Sequence, residues 1–217
     1  AKPEPYARDI VDKKHLHFAQ PDLAESHLIR HYIPVINSQE KVIAAKSKAF
    51  TLQLAARSLV IEKLLSPHVF EVLRQKHKMG YMLGIGYKPI GGFPGVAMYI
   101  QSPTHDIPSI YQAMNETIIK AQQQFATKPE LLAHLVEDLI NQVRPKEPDI
   151  SQLAARIWMH YDDKQPALAY QDLTAALNAL GNDEINAALQ AYVDFQYGQL
   201  VLTQSADEKV ALPVRGA

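Results

Sequence analysis

The order of apolar and polar residues predicts strands in pairs, separated by amphipathic helices. Near the start, His15–Gln20 and His27–Ile36 have the short length and the Ile, Tyr and Val content of strands, and Pro34 favours a strand end. The segment Gln39–Leu65 then repeats apolar residues at helical spacing on more than one face, which is typical of a buried helix. Pro67 is predicted to end that helix, because proline cannot donate a helical hydrogen bond.

The middle of the chain has a helix–strand–turn–strand pattern. A charged helix is predicted over Pro67–Lys78, followed by an apolar run at Met79–Tyr87. A turn cluster at Lys88–Gly95 separates that run from a second one at Val96–Gln101. Six of the nine glycines of the chain fall within the first run and the turn cluster, and the first of the six is at position 80. The pattern predicts two strands that leave the end of a helix.

The rest of the chain is mainly helical by the same criteria. The predicted helices are Ile107–Phe125, Leu131–Val143, Ile150–Tyr161, Tyr170–Leu180 and Asp183–Asp194, and a last strand follows at Leu200–Gln204. Because strands come in pairs rather than alternating singly with helices, we predict an α+β fold with helices packed on one face of a largely antiparallel sheet. Residues 1–14 are interpreted as a linker, 15–204 as one domain and 205–217 as a tail.

Composition narrows the function classes. The 217 residues carry 22 Lys and Arg against 23 Asp and Glu, so the net charge of -1 gives no general reason to expect nucleic acid as a partner. No apolar run reaches the roughly 18 residues of a membrane helix, so no membrane span is expected. The absence of cysteine excludes disulfides, thiolate metal sites and a cysteine nucleophile.

Nine histidines do not form a recognisable metal motif. His27 and His31 have the spacing of the H-x-x-E-H motif, but Arg30 stands in the place of the glutamate and the context is a strand rather than a helix. His15 and His17 share a strand face without an apparent third ligand. We therefore expect no metal site in this chain.

Two other patterns have ordinary structural interpretations. Gly84 and Gly86 are not followed by a helix start, so we interpret them as turn glycines rather than as part of a dinucleotide fingerprint. Trp158 lies at helical spacing with Ala154 and is most simply a core residue.

Arg74 and Tyr81 are the candidate functional residues, because they flank the predicted junction of helix and strand. Arginine offers five donors in a fixed fork, and a tyrosine hydroxyl is a neutral donor. Together they suit a peptide carbonyl and the oxyanion that it becomes during hydrolysis. The spacing alone leaves open an arginine in solvent and a half-buried tyrosine without a function.

The same residues carry a resemblance to a known family. The run Arg74-x6-Tyr81, the glycine-rich turn and Tyr99-Ile-Gln-Ser102 resemble the C-terminal domain of the insulinase-like zinc metallopeptidases, the pitrilysin and insulin-degrading enzyme family. The resemblance covers about Lys14 to Gln204, because the helices follow in the family's order. One departure is Lys78-Met79, where the family often has a Glu-Gln-Leu-type run.

The resemblance implies a fold of four homologous domains arranged as a clamshell, of which this chain is the fourth. It implies that zinc is bound by the N-terminal domain of the full-length enzyme, and that Arg74 and Tyr81 contact the substrate backbone and the scissile carbonyl. The helix Gln39–Leu65 corresponds to the family's zinc helix and lacks the zinc motif.

The expected function is that of a zinc-free C-terminal domain of a zinc-dependent endopeptidase, inactive by itself. Its expected partners are peptide substrates and the N-terminal catalytic half of the same polypeptide, and the resemblance implies the periplasm or cytoplasm of a bacterium. Two alternatives stay open: a non-catalytic scaffold or peptide-binding member of the same fold, and a free-standing binding protein unrelated to peptidases. An H-x-x-E-H motif upstream of this domain would favour the enzyme.

Overall fold

The computed structural model describes residues 14–44, 47–90, 93–144 and 170–212. The strands are β1 Lys14–Ala19, β2 Ser26–Tyr32, β3 Met82–Tyr87, β4 Val96–Ser102 and β5 Gln199–Ser205. The helices are α1 Ser38–Ala44, α2 Lys48–His68, α3 Ile107–Thr127, α4 Leu131–Val143, α5 Tyr170–Asn178 and α6 Asn182–Val193. A π-helical segment, Val69–Lys76, continues α2. The predicted helix Ile150–Tyr161, with Trp158, lies outside the described residues.

The five strands form one sheet in the order β1-β5-β2-β4-β3. β1 pairs with β5 in parallel, and the other three pairings are antiparallel. This arrangement confirms the predicted α+β fold with a largely antiparallel sheet. β3 and β4, the strands of the candidate functional region, are neighbours at one edge of the sheet.

The core lies between one face of the sheet and the helices. Alternate residues of the two central strands point into it, and Leu28, Tyr32, Val96 and Met98 have no exposed surface. α3 presents apolar residues at helical spacing to this face, and α2 packs beside it. The buried residues of α3 include Ile110, Met114, Ile118, Ala121 and Phe125. No helix among the described residues is long and apolar enough to cross a membrane.

The helix predicted over Gln39–Leu65 is interrupted, which corrects that prediction. α1 begins as expected, because the side-chain oxygen of Asn37 accepts the backbone N–H of Glu40 at 2.9 Å. Ser47, however, has an extended backbone and caps a new helix by accepting the N–H of Phe50 at 3.4 Å. The apolar spacing continues across the interruption, so only the cap marks it.

The predicted break at Pro67 is also wrong, since this proline lies inside α2. The chain continues past it into the π-helical segment. Leu64 and Leu65 before the proline and Val69 after it are buried in the core. We attribute the continuity to this packing, which compensates for the single hydrogen bond that a proline removes.

Arg57 on α2 ties three helices together. Its guanidinium donates to both carboxylate oxygens of Glu40 on α1, at 2.8 and 3.1 Å, and to the carboxylate of Glu184 on α6. It also donates to the backbone carbonyl of Pro34 at 3.3 Å. Because Arg57 is buried, its loss would leave two carboxylates and a carbonyl without their partner.

We expect Arg57→Met to lower the free energy of unfolding by about 3 kcal/mol, because removing one partner of a buried ion pair leaves the other charges buried without a partner. Urea unfolding of the domain, followed by circular dichroism, measures this change. Lys120→Met is the matched control, since Lys120 pairs with Glu71 at the surface and should contribute little to stability. Equal effects of the two substitutions would contradict the role given to Arg57.

Candidate functional site

Arg74 and Tyr81 line one pocket of about 370 Å³ at the junction between the π-helical segment and β3. The other lining residues are Lys78, Gly80, Pro103 and Thr104. We call this the junction pocket. Tyr81 is 89% exposed, and its hydroxyl makes no hydrogen bond to the described residues. The pocket therefore exposes a phenol and a guanidinium to solvent.

The end of the π-helical segment determines the course of the chain toward Tyr81. The N–H of His77 donates to the carbonyl of Val72, and the N–H of Met79 to that of Leu73, both at 3.0 Å. Lys78, between these two donors, has a φ of 51°. The predicted strand Met79–Tyr87 therefore begins only at Met82, because Met79 still bonds to the helix and is buried in the core.

Gly80 brings the chain against β4. Its φ is 142°, a backbone conformation that residues other than glycine rarely adopt. A Cβ at this position would lie 2.5 Å from the backbone carbonyl oxygen of Gln101. Glycine is thus required both by the backbone conformation and by the close approach, and Tyr81 is the next residue. Its position is consequently determined by the contact between Gly80 and β4.

The opposite side of the junction pocket follows the end of β4. The hydroxyl of the buried Ser102 accepts the backbone N–H groups of Thr104 and His105, at 3.4 and 3.2 Å. Asp106 then caps α3 by accepting the N–H of Ser109 at 2.9 Å. Pro103 and Thr104 are therefore held between a strand end and a helix cap, which makes this side of the pocket a tight turn.

Some of the charged side chains around the pocket have ion-pair partners among the described residues and others do not. Glu116 accepts hydrogen bonds from Lys76 and from His77, which keep the pKa of its carboxyl below the usual range. The guanidinium carbon of Arg74 lies 5.3 Å from the centroid of the Phe70 ring, a cation–π distance. Among the described residues, neither Arg74 nor Lys78 forms an ion pair.

The histidine pair of the apparent H-x-x-E-H spacing lies on β2, as expected. Residues four apart in a strand are separated by about 13 Å, which prevents His27 and His31 from sharing a metal. Arg30 between them points into the core, where Tyr111 and Tyr192 lie 4.8 and 4.6 Å from its guanidinium. Burial lowers the pKa of Arg30.

His15 and His17 are joined by hydrogen bonds to the same hydroxyl. The ring nitrogens lie 2.8 and 2.9 Å from Oγ1 of Thr203 on β5. Within the described ranges, no group of three or more His, Asp or Glu residues could hold a metal ion. Burial, and then the neighbouring His17, lower the pKa of His15.

Gly84 and Gly86 lie within β3, so their interpretation as turn glycines is wrong. Gly84 is opposite Tyr99 on β4, and a Cβ on Gly84 would lie 2.6 Å from the hydroxyl oxygen of Tyr99. Gly84 therefore leaves room for the ring on the adjacent strand. The glycine spacing is explained by cross-strand packing rather than by a turn.

Sequence reasoning proposed Arg74 and Tyr81 as functional residues and missed the other four residues that line the junction pocket. It noted Lys78 only as a departure from a family pattern, and it gave Thr104 no part in the site. The available signal was the turn sequence after Ser102, which shows that the chain reverses there. The sequence alone could not show that this turn faces Lys78, the residue before Met79.

Comparisons with known proteins agree with this architecture. Residues 60–158 match the family described as PQQ synthase PqqF-like, C-terminal lobe domain 4. The crystal structure of pitrilysin matches with a TM-score of 0.70 at 14% identity, over 94% of this chain and 21% of the pitrilysin chain. This chain thus spans about a fifth of pitrilysin. No curated protein matches the sequence.

Two further structures have the same fold at lower similarity. An inactive domain of peptidase M16 from Pseudomonas fluorescens matches with a TM-score of 0.52 at 12% identity, over 92% of this chain and 44% of its own. A predicted insulinase family protease from Yersinia pestis matches with a TM-score of 0.53 at 13% identity, over 92% of this chain and 43% of its own. These matches confirm the predicted α+β fold, which this chain shares with a single domain of those proteins.

We expect Gly80→Ala to lower the free energy of unfolding by about 2 kcal/mol or more, because the new Cβ meets a backbone carbonyl in a conformation unfavourable to alanine. Gly86→Ala is the matched control, since nothing lies within 4 Å of a Cβ at that position. Urea unfolding of both variants measures the difference. A Gly80→Ala variant as stable as Gly86→Ala would show that the close approach to β4 is not required.

Proposed function

We propose that the chain is a C-terminal domain of an insulinase-like M16 peptidase and that it supplies substrate contacts for peptide hydrolysis; the family match over residues 60–158 and the shared fold support this proposal. The observation that carries this proposal is the junction pocket, where Arg74 and Tyr81 lie together and neither forms a hydrogen bond or an ion pair with the described residues. In this proposal the domain closes the chamber of a longer enzyme and is inactive by itself.

The two side chains have distinct roles in the proposed reaction. The phenol of Tyr81 donates a hydrogen bond to the scissile carbonyl oxygen, and this bond strengthens as negative charge develops on that oxygen. The guanidinium of Arg74 donates to a neighbouring backbone carbonyl and holds the peptide in register. Neither side chain carries out a proton transfer or a nucleophilic attack, so the hydrolytic groups belong to another part of the enzyme.

The apolar face of the sheet opposite the core is evidence for a large protein partner. Apolar side chains emerge on the face opposite the core, and no described residue covers them. The exposed members are Leu16, Phe18, Ile29, Met82 and Tyr99. An apolar area of this kind is typical of a surface that faces another protein unit or a substrate. We propose that it faces the N-terminal catalytic half of the same polypeptide, across the chamber that holds the peptide.

We propose that zinc serves the parent enzyme and is held outside this chain. The described residues provide no set of ligands for it, and the sequence contains no cysteine. The contribution of this chain is limited to binding and orienting the peptide and to stabilising charge on its carbonyl.

We expect Tyr81→Phe in the full-length protein to lower the turnover of peptides by roughly 10²- to 10³-fold, the usual effect of removing one oxyanion donor. Zinc content should be unchanged, because Tyr81 is not a ligand. Steady-state hydrolysis of a fluorogenic peptide and metal analysis measure the two quantities.

Tyr197→Phe is the matched control for that experiment. Tyr197 precedes Gln199, at the end of the sheet away from the junction pocket, and its substitution also removes a single hydroxyl. It should leave turnover unchanged. An unchanged rate for Tyr81→Phe would remove Tyr81 from the site.

A second candidate function is peptide binding without hydrolysis. The fold is shared with an inactive domain of peptidase M16, which favours a scaffold or peptide-binding role as the alternative. In that case the full-length protein would bind peptides through the same pocket but would not cleave them. Zinc analysis and a peptidase assay of the full-length protein distinguish the two candidates.

A further inference from the structure

We propose that the junction pocket recognises a carboxylate of the peptide substrate, and that Lys78 together with Arg74 provides the positive charge. The inference rests on the proposed function, because it specifies the chemistry of a peptide bound at the same pocket. The carboxylate is either the side chain of an acidic residue or the C-terminus of the peptide. Both sources present the same planar anion to the two cations.

Arg74 and Lys78 differ from the neighbouring cations, because those cations have a carboxylate partner. Lys76 and His77 share the carboxylate of Glu116. Arg74 and Lys78, which line the pocket, form no ion pair among the described residues. The positive charge that remains unpaired in this region is therefore the charge at the pocket.

The carboxylates near the pocket already accept hydrogen bonds from other residues of the domain. Asp106 accepts the N–H of Ser109, and Glu25 accepts from the side-chain amide of Gln101. The hydroxyl of Thr104 lies 2.9 Å from a ring nitrogen of His105. Of the carboxylates on the described elements next to the pocket, none lines it. An anion from outside would meet two cations there without a competing negative charge.

The backbone at Lys78 is consistent with a functional position. Its φ of 51° is unfavourable for a lysine, and glycine or asparagine would adopt it more readily. Side chains held in such conformations occur preferentially at binding sites. The conformation places Lys78 on the turn whose next two residues are the buried Met79 and the tightly packed Gly80. Its Cα is therefore held by the core and by β4.

The pocket has the capacity for this ligand. A volume of about 370 Å³ accommodates an acidic side chain or a terminal residue. A guanidinium presents paired donors to a carboxylate, and an ammonium adds a compact charge beside it. Tyr81 retains its hydroxyl for the scissile carbonyl, and the five N–H donors of Arg74 suffice for both a backbone carbonyl and the carboxylate.

The test uses the full-length protein and a set of fluorogenic decapeptides that differ in one charge. One series places Asp or Asn at each position in turn, and a second series ends in a free acid or an amide. We expect wild-type protein to prefer the charged member at one position, by on the order of 5-fold in kcat/KM. A preference within the first series identifies an acidic side chain, and a preference within the second identifies the C-terminus.

Three variants assign that preference. Lys78→Met should reduce the ratio of charged to neutral peptide toward one, and Lys78→Arg should keep it. Lys88→Met is the control, because Lys88 is exposed and lies about 20 Å away, beyond the six residues of β3. It should not change the ratio.

The outcomes separate this inference from the function on which it rests. Cleavage that ignores the charge, or a preference that survives Lys78→Met, would overturn the inference and leave the peptidase function intact. Failure of the wild-type protein to cleave any of the peptides would overturn the proposed function. A preference that is lost in Lys78→Met and kept in both other variants would support both.

Discussion

The candidate site depends on one close contact, between the backbone of Gly80 and the carbonyl of Gln101 on β4. At this point a side chain would come within 2.5 Å of the carbonyl oxygen, so the two segments meet without an intervening group. The contact joins the end of a helix to the edge of the sheet. Arg74 belongs to the helical side and Tyr81 to the strand side, and the contact determines the distance between them.

This constraint explains why two exposed side chains define a site although neither is buried. Their Cα atoms are held by elements packed in the core, through Leu73 and Met79 on one side and β4 on the other. Sites on rigid elements are held more accurately than sites on free loops. The fold thus presents a phenol and two cations at a defined place while leaving them free to meet a ligand. In the proposed function the hydrolytic groups are contributed elsewhere, and the junction pocket supplies one half of a reaction site.

The general architecture could be predicted from the sequence because it follows from hydrophobic spacing. The five strands and the paired order of strands and helices both depend on local patterns, and so does α3. The interruption at Ser47 could not be predicted, because the apolar spacing continues across it and only the serine cap marks it. The continuity through Pro67 could not be predicted, because it depends on tertiary packing that overrides local preference. The role of Gly84 depends on Tyr99, fifteen positions along the chain, and was missed for the same reason.

The candidate pair was identifiable from a motif, but its surroundings were not. Arg74 and Tyr81 are seven residues apart, whereas Thr104 lies more than twenty positions beyond Tyr81 and reaches the pocket only through strand pairing. That Arg74 and Lys78 form no ion pair among the described residues can be seen only once the positions of Glu116 and of its partners are known. Charge balance is a property of the folded surface, and sequence spacing does not reveal it.

The most direct test of this account is a photo-crosslinking experiment on the full-length protein. The substitution Thr104→p-benzoylphenylalanine places a crosslinker in the junction pocket, and the same substitution at Lys88 provides a control on an exposed turn. A peptide substrate should become attached at position 104 and not at 88, and unlabelled peptide should compete for the attachment. Attachment at neither position, or equally at both, would contradict the claim that this pocket contacts the substrate.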